Sequence, residues 1–357
     1  MIPVSRPKIP LLLATVCVLV AVCVAVSACG GSTTTTLTSM ASSSTSTASA
    51  SVSRPGISPG ISTTGTTKAL PLPQLISPQS VKRKYTNLRY TGRSLAQRLD
   101  IYLPDSGRGP FPVIVQIHGG AFSVGDKADT QLDPVLSALS RGYAVVAINY
   151  RLSWEAKFPA AVNDAKAAVR YIRANARTYD LDPTRIAAWG DSAGGYLAAM
   201  LGTSRGFSLV RTRGAIHASQ WSMVQAVVDW YGPMDFGSVE AQWQADAVHT
   251  VTTDNAANSW ESRFLGGAVS QSPGLVKKAD PLTYAAASDP PFLVEHGTAD
   301  KIVPVQQSEN FAAALTKILG ANKVKLVLLP GASHGYGQFD STENLDLVLN
   351  WLDAHLK

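Results

Sequence analysis

Cysteine is scarce in this chain, and all of it lies at one end. The 357 residues include three cysteines, Cys17, Cys23 and Cys29. The chain after residue 29 therefore has no thiol and cannot form a disulfide bond, so its fold does not depend on redox conditions. This excludes the disulfide-stapled scaffolds common among small secreted domains.

Nucleotide-binding signatures and basic clusters are also missing. No G-x-G-x-x-G follows the first predicted strand and no G-x-x-x-x-G-K-[ST] occurs, which argues against a dinucleotide or P-loop site. The net charge is +6, and removing the two basic residues Arg6 and Lys8 with the N-terminal segment lowers it to +4. Because the basic residues are scattered, we expect no nucleic-acid surface.

The first 28 residues have the pattern of a secretory signal peptide. Arg6 and Lys8 precede an apolar run over residues 9–26, and small residues follow. Val26-Ser27-Ala28-Cys29 also resembles the bacterial lipobox, in which cleavage exposes a cysteine that receives lipid. We therefore predict an exported protein, anchored to the outer face of the bacterial cell membrane or envelope through a lipid on Cys29. The alternative is an uncleaved membrane anchor, since the run is nearly long enough to span a bilayer.

Residues 29–74 are predicted to form a flexible tether. Serine and threonine make up 22 of the 36 residues from Ser32 to Thr67. Such a segment cannot bury enough apolar surface to offset the entropy that it would lose on ordering. The folded domain is accordingly expected over residues 75–357.

That domain alternates buried strands with amphipathic helices. Val113–His118 and Tyr143–Ile148 are apolar runs typical of strands buried on both faces. A helix with one apolar face is predicted over residues 159–176. The alternation predicts an α/β fold with a doubly wound, mostly parallel sheet. Residues 236–284 break the pattern and are predicted to form a small cap insertion.

The stretch Gly190-Asp191-Ser192-Ala193-Gly194 joins a predicted strand to a predicted helix. Its G-x-S-x-G spacing is that of a nucleophile elbow, which exposes a serine hydroxyl on a tight turn. Glycine serves where a Cβ would crowd such a turn. Because these residue types are common, the motif alone also fits an ordinary glycine turn. A catalytic Ser192 needs a base within reach and an acid to orient that base.

His334 is the predicted base and Asp300 the predicted acid. His334 lies in the loop after the last predicted strand, and Asp300 follows the strand before it, in the order Ser…Asp…His. Both lie at carboxyl ends of strands, where open α/β sheets bind ligands. Asp289 and Glu295 are weaker candidates, since one precedes its strand and the other lies within it. His296 ends that strand and is expected to be buried.

An oxyanion would be stabilised by backbone N–H groups at two places. Ala193 follows the candidate nucleophile and supplies one donor. The loop after an earlier strand, with Gly119 and Gly120, supplies the other. His118 is expected to brace this loop rather than to act as a base.

These stretches resemble the esterase/lipase branch of the α/β-hydrolase superfamily near hormone-sensitive lipase, and more closely the feruloyl-esterase-like (BD-FAE) domain. From about Leu99 onward the matching stretches keep the family order: His118–Phe122, Asn149–Leu152, Phe158–Ala161, Gly190–Gly195, Trp230–Pro233, Asp289–Phe292, His296–Asp300 and Ser333–Gly335. The resemblance implies a triad and three oxyanion donors: Ser192, Asp300, His334, Gly119, Gly120 and Ala193. Ala121 departs from the pattern, because many relatives have a third glycine there.

The resemblance implies a serine hydrolase that cleaves small-molecule carboxylic esters, with short-chain or aromatic acyl groups, and needs no metal or organic cofactor. An amidase or peptidase of the same fold is one alternative. A non-catalytic envelope-binding lipoprotein on a hydrolase scaffold is another. Six aromatic residues near the predicted cap either line an acyl pocket or belong to the core: Trp221, Trp230, Tyr231, Phe236, Trp243 and Trp260.

Overall fold

A computed structural model describes residues 75–92, 94–205, 217–246 and 256–357 of the chain. The signal peptide, lipidation site and tether predicted over residues 1–74 lie outside these described residues. Among the helices described, none combines the length and apolar character that crossing a bilayer requires.

The described residues form an eight-stranded sheet. Its strands are β1 (Lys84–Arg89), β2 (Arg98–Tyr102), β3 (Phe111–Ile117), β4 (Ala144–Ile148), β5 (Leu181–Asp191), β6 (Ala226–Trp230), β7 (Phe292–Gly297) and β8 (Val324–Leu329). Their spatial order is β1-β2-β4-β3-β5-β6-β7-β8. The β1–β2 and β2–β4 pairs are antiparallel and the other pairs are parallel. The predicted mostly parallel α/β sheet is therefore confirmed.

Helices cover both faces of this sheet. The α-helices in the described ranges are α1 (Ala160–Ala174), α2 (Ala193–Thr203), α3 (Val239–Ala245), α4 (Trp260–Leu265), α5 (Pro273–Ala279), α6 (Gln306–Leu319) and α7 (Thr342–Leu356). Shorter 3₁₀ helices span Thr130–Leu132, Val135–Arg141, Ala176–Tyr179, Val269–Gln271, Pro281–Tyr284 and Ala321–Lys323.

Successive side chains of the central strands enter two separate cores. Val113 and Val115 of β3 pack in the core that contains α1, α2 and α6. Ile114, between them, packs in the core that contains α7 and the 3₁₀ helix 135–141. Since each face is covered, every residue of β3 is buried, which explains its continuous apolar pattern.

The edge strand β1 is the element that the hydrophobic pattern does not predict. Its residues Lys84–Arg89 are mostly exposed or half-buried, so they carry no apolar run. Pairing with β2 holds this strand in place. The predicted insertion over residues 236–284 contains the short helices α3, α4 and α5 in its described part.

Candidate active site

Ser192 lies on the strained turn between β5 and α2. Its backbone has φ +54° and ψ −120°, a conformation that residues other than glycine rarely adopt. The Ser192 N–H donates to the Trp230 carbonyl at 2.8 Å, which ties the turn to the end of β6. A Cβ added to Gly194 would lie 1.9 Å from the Ile117 carbonyl oxygen, and one on Gly190 would lie 2.2 Å from the Gly194 oxygen. Only glycine fits at these two positions of the elbow.

His334 reaches over this turn from the loop that follows β8. Its Nε2 lies 3.0 Å from Ser192 Oγ, and its Nδ1 lies 2.7 Å from Asp300 Oδ2. The ring also packs on Tyr231, with 4.6 Å between the ring centroids. The three side chains that the sequence analysis selected therefore meet in one hydrogen-bonded chain.

The Asp300 carboxylate is held at both oxygens. Its Oδ1 accepts the backbone N–H groups of Ile302 at 2.8 Å and Val303 at 3.0 Å, while Oδ2 faces His334. Burial by itself would raise the pKa of Asp300, but hydrogen bonds from His296 and His334 outweigh it and hold that pKa well below its usual value. The group is thus an ionised carboxylate across the neutral range.

His296 is a second imidazole beside this carboxylate, and the sequence analysis assigned it no role at the site. Its Nε2 donates to the Val303 carbonyl at 3.0 Å and lies 3.3 Å from Asp300 Oδ2. Its Nδ1 lies 2.6 Å from Ser308 Oγ, which fits a hydroxyl donating to that nitrogen. His296 is buried, as expected, and its place four residues before Asp300 is the signal that could have linked the two.

The two weaker acid candidates face other partners. Asp289 lies 3.5 Å from Arg205 and accepts the Ala286 N–H at 2.7 Å. Glu295 accepts from Asn344 of α7 at 3.1 Å. The geometry therefore favours Asp300 as the partner of His334.

The loop after β3 presents backbone donors, but not all of those expected. The Gly119 N–H already donates to Gln131 Oε1 at 2.7 Å. This group is therefore not free to bind an oxyanion in this structure, contrary to the prediction from the sequence. No hydrogen bond in the described part of the chain engages the N–H groups of Gly120, Ala121 or Ala193. The available donors are therefore Gly120 and Ala121 on this loop and Ala193 on the elbow.

This loop is held in shape by contacts behind it. Ala121 has φ +51°, so the residue that replaces the third glycine still adopts the left-handed conformation that glycine favours. His118 stacks on Tyr150 with 4.5 Å between centroids, and the Tyr150 hydroxyl donates to the His118 carbonyl at 2.9 Å. Burial lowers the pKa of His118. These contacts fit a brace for the loop rather than a base.

Asp229 of β6 and Glu295 of β7 are both buried, and Asp229 supports the elbow. Asp229 Oδ1 accepts the Gly232 N–H at 3.0 Å, and a Cβ on Gly195 would lie 2.3 Å from the same oxygen. Burial raises the pKa of Asp229 to about 8. Burial also raises the pKa of Glu295, to about 7, although its hydrogen bond from Asn344 works in the opposite direction.

We expect these groups to make the fold less stable as the pH rises. The pKa of Asp229 is about 8 in the folded protein and near 3.8 in the unfolded chain. Its contribution to the free energy of unfolding is therefore full below pH 4 and is lost as the pH rises through 8. The loss is about 1.4 kcal/mol per pH unit for one group. In urea unfolding from pH 5 to pH 8, Asp229→Asn should therefore show a clearly flatter decline than the wild type. An equal decline in both proteins would show that Asp229 is not responsible.

A cavity of about 520 Å³ opens beside Ser192 and His334. Four exposed apolar side chains from four different segments lie at its mouth: Val124, Trp260, Ile302 and Tyr336. Of the six aromatic residues considered from the sequence, Trp230, Tyr231 and Trp260 line this cavity. Phe236 and Trp243 are buried elsewhere, and Trp221 is 69% exposed.

Comparison with known proteins places this chain in a family. The sequence profile of the BD-FAE family matches residues 99–315, more than half of the chain. The chain belongs to the BD-FAE family. The match spans Ser192 and Asp300 and ends before His334.

Two relatives of this BD-FAE protein carry esterase names. It is 34% identical over 242 residues to Esterase LipQ of Mycobacterium tuberculosis, covering 67% of this chain and 54% of LipQ. It is 30% identical over 262 residues to Esterase LipC of the same organism, covering 72% of this chain and 62% of LipC. The chain thus spans less than two thirds of either relative.

One solved structure matches this chain over almost the whole of its own length. It is a truncated form of a carbohydrate esterase from gut microbiota, with a TM-score of 0.70 and 30% sequence identity. The superposition covers 79% of this chain and 99% of that one. The α/β-hydrolase fold of this BD-FAE protein is therefore that of known esterases.

Proposed function

We propose that this BD-FAE protein hydrolyses carboxylic esters through a covalent acyl-enzyme on Ser192. One observation carries the proposal: His334 joins Ser192 and Asp300 through its two ring nitrogens, at 3.0 and 2.7 Å. A serine hydroxyl is a weak nucleophile until a base in this position can accept its proton. The esterase names of its relatives support the same reaction class.

The geometry supports a two-step reaction. His334 Nε2 takes the proton of Ser192 while Oγ forms a bond to the ester carbonyl carbon. The carbonyl oxygen becomes an oxyanion, and we assign its stabilisation to the N–H groups of Gly120, Ala121 and Ala193, which donate no other hydrogen bond in the described part of the chain. When the C–O bond of the ester breaks, His334 returns the proton to the leaving alcohol. Water then attacks the acyl carbon by the same route and releases the acid and free Ser192.

Asp300 orients the imidazole for both steps. Its ionised carboxylate accepts the Nδ1–H of His334, which leaves Nε2 with a lone pair toward Ser192. It also stabilises the imidazolium that forms when His334 accepts the serine proton. Because two backbone N–H groups fix its other oxygen, the carboxylate does not have to reorganise during the reaction.

Short-chain or aromatic acyl groups are the proposed substrates. The apolar side chains at the mouth of the 520 Å³ cavity suit an apolar group, and this volume lies in the range of small-molecule pockets. The test is a steady-state comparison of p-nitrophenyl esters of increasing chain length with the matched p-nitroanilides. We expect the esters to react much faster. Faster turnover of the anilides would favour an amidase or peptidase.

Labelling with a fluorophosphonate probe separates an enzyme from a binding module. An activated Ser192 should form a stable phosphonyl adduct, detected by intact mass and located by peptide mapping. A non-catalytic envelope-binding protein would leave Ser192 unlabelled. In that case the ester-hydrolase proposal fails even if the fold is unchanged.

We also propose that the chain is exported and anchored by lipid on Cys29. The support is the sequence pattern alone: a basic start, an apolar run over residues 9–26 and the lipobox-like Val26-Ser27-Ala28-Cys29. Mass spectrometry of the protein expressed in bacteria should find a mature N-terminus at lipid-modified Cys29, and Cys29→Ser should abolish that form. An intact residue 1 in the membrane fraction of both proteins would instead indicate an uncleaved anchor.

A further inference from the structure

The lining of the active-site cavity includes buried polar side chains that the mechanism does not use. Gln116 of β3 and Trp189 of β5 both line the cavity that opens at Ser192, and each is only 1% exposed. The two residues are partners in the parallel register of these strands, so they lie side by side on the same face of the sheet. They form what we call the polar wall.

Neither residue of the polar wall satisfies its hydrogen-bonding groups within the described part of the chain. Both amide atoms of Gln116, Nε2 and Oε1, lack a protein partner, as does the indole Nε1 of Trp189. Leaving a buried polar group without a partner destabilises the folded protein, because the group loses its hydrogen bonds to water and gains none in return. Such a cost is expected at a binding site, where the ligand supplies the missing partner.

The donor and acceptor types limit what that partner can be. The Trp189 N–H can only donate, so it requires an oxygen or another acceptor. The Gln116 amide offers one acceptor and two donors, whichever way it is turned. A hydroxyl group meets both demands, since its oxygen accepts from Trp189 while its O–H donates to Gln116.

The charges around the cavity further limit the ligand. Asp191 and Asp340 also line the cavity, and its described lining includes no lysine or arginine. Burial, together with the nearby Asp129, raises the pKa of Asp191 well above its usual value. Surroundings that disfavour one carboxylate also disfavour an anionic substituent on the ligand. The polar wall therefore suits a neutral group.

We propose that the polar wall formed by Gln116 and Trp189 makes this enzyme selective for neutral esters that carry a hydroxyl group remote from the bond to be cleaved. The proposal rests on the proposed ester hydrolysis and adds its substrate class. The apolar mouth accommodates the hydrocarbon part of such a substrate, and the polar wall receives its hydroxyl. Two positions of that hydroxyl, on the acyl side or on the alcohol side, are compatible with this chemistry.

Matched substrates test the proposal on the full-length protein. The acyl-side pair is methyl 3-phenylpropanoate and its 4-hydroxyphenyl analogue. The alcohol-side pair is 2-phenylethyl acetate and its 4-hydroxyphenyl analogue. In the wild type we expect kcat/KM to be about 10-fold higher for the hydroxylated member of at least one pair, as for one good hydrogen bond inside a protein. The 4-carboxyphenyl analogue should be the poorest substrate of its series.

Substitutions test which residues cause the preference for hydroxylated esters. Gln116→Leu, which keeps the size of the side chain, should reduce the hydroxyl preference to near unity, because kcat/KM should fall about 10-fold more for the hydroxylated member of a pair than for the unsubstituted member. Its Tm should stay equal or rise, because a buried group without a protein partner is removed. Trp189→Phe should weaken the preference in part. Gln79→Leu makes the same change at an exposed position outside the cavity and should keep the wild-type preference.

Several results would overturn the proposal. These are equal rates within both wild-type pairs, a preference that survives Gln116→Leu, or an equal loss for both members of a pair, which would indicate a purely structural role. Absence of turnover for every ester would refute the proposed hydrolysis itself. Normal turnover without a hydroxyl preference would refute only the substrate class.

Discussion

The Ser192→Ala variant is expected to lose ester hydrolysis by about 10⁶-fold in kcat. The reason is that the reaction proceeds through a bond between Ser192 Oγ and the acyl carbon, and alanine has no atom that can form it. What remains should be the smaller acceleration that binding and the backbone donors of Gly120, Ala121 and Ala193 supply without a nucleophile. Initial rates with p-nitrophenyl acetate, measured over days for the variant, give this ratio.

The control for this loss is a serine that plays no part in the site. Ser140 is exposed on the 3₁₀ helix 135–141 and donates to the Ser137 carbonyl at 2.7 Å. Ser140→Ala should keep the wild-type rate, and both variants should keep the wild-type circular dichroism spectrum. If Ser192→Ala turned over ordinary esters at an appreciable fraction of the wild-type rate, Ser192 would not be the nucleophile.

The Asp300→Asn variant is expected to lose about 10⁴-fold in kcat, as when a comparable triad aspartate is replaced. The amide oxygen can still accept the N–H groups of Ile302 and Val303, and this places the NH₂ group toward His334. Facing a donor, His334 adopts the tautomer with its proton on Nε2, which cannot accept the proton of Ser192. The loss should therefore appear in kcat, with KM changed little.

The difference in stability between Asp300→Asn and the wild type should depend on pH. The folded pKa of Asp300 lies below its ordinary value, so the ionised carboxylate stabilises the fold above about pH 4, and this stabilisation is lost as the pH falls further. Asp300→Asn should therefore be less stable than the wild type at pH 7, and the difference should shrink below pH 4. Full activity in Asp300→Asn would remove Asp300 from the mechanism and return Asp289 and Glu295 to consideration.

Much of this architecture could be predicted from the sequence because burial on both faces leaves a strong pattern. The apolar runs at β3 and β4 appear in the structure within two residues of their expected bounds. The edge strand β1 could not be predicted in the same way, because one exposed face removes the continuous apolar run. The short helices of the insertion also lack a long periodic signal.

Some features of the active site could be predicted from the sequence and others could not. The order and strand-end positions of Ser192, Asp300 and His334 could be read from motifs, since the topology brings the carboxyl ends of parallel strands to one edge. The hydrogen bond from Gly119 to Gln131 could not be predicted, because the two residues are twelve positions apart and meet only when the loop between them folds back. Gln116 is a polar residue within the apolar run of β3. The sequence does not show that it lines the active-site cavity, which only the folded structure reveals.

The most direct test of the account is to trap the acyl-enzyme. The protein is mixed with p-nitrophenyl acetate, quenched in acid within the first turnover and analysed by intact mass and peptide mapping. We predict one added acetyl group, located on Ser192, absent from Ser192→Ala and formed far more slowly in Asp300→Asn. Acetylation of another residue, or a full burst of p-nitrophenol from Ser192→Ala, would contradict the central role of Ser192.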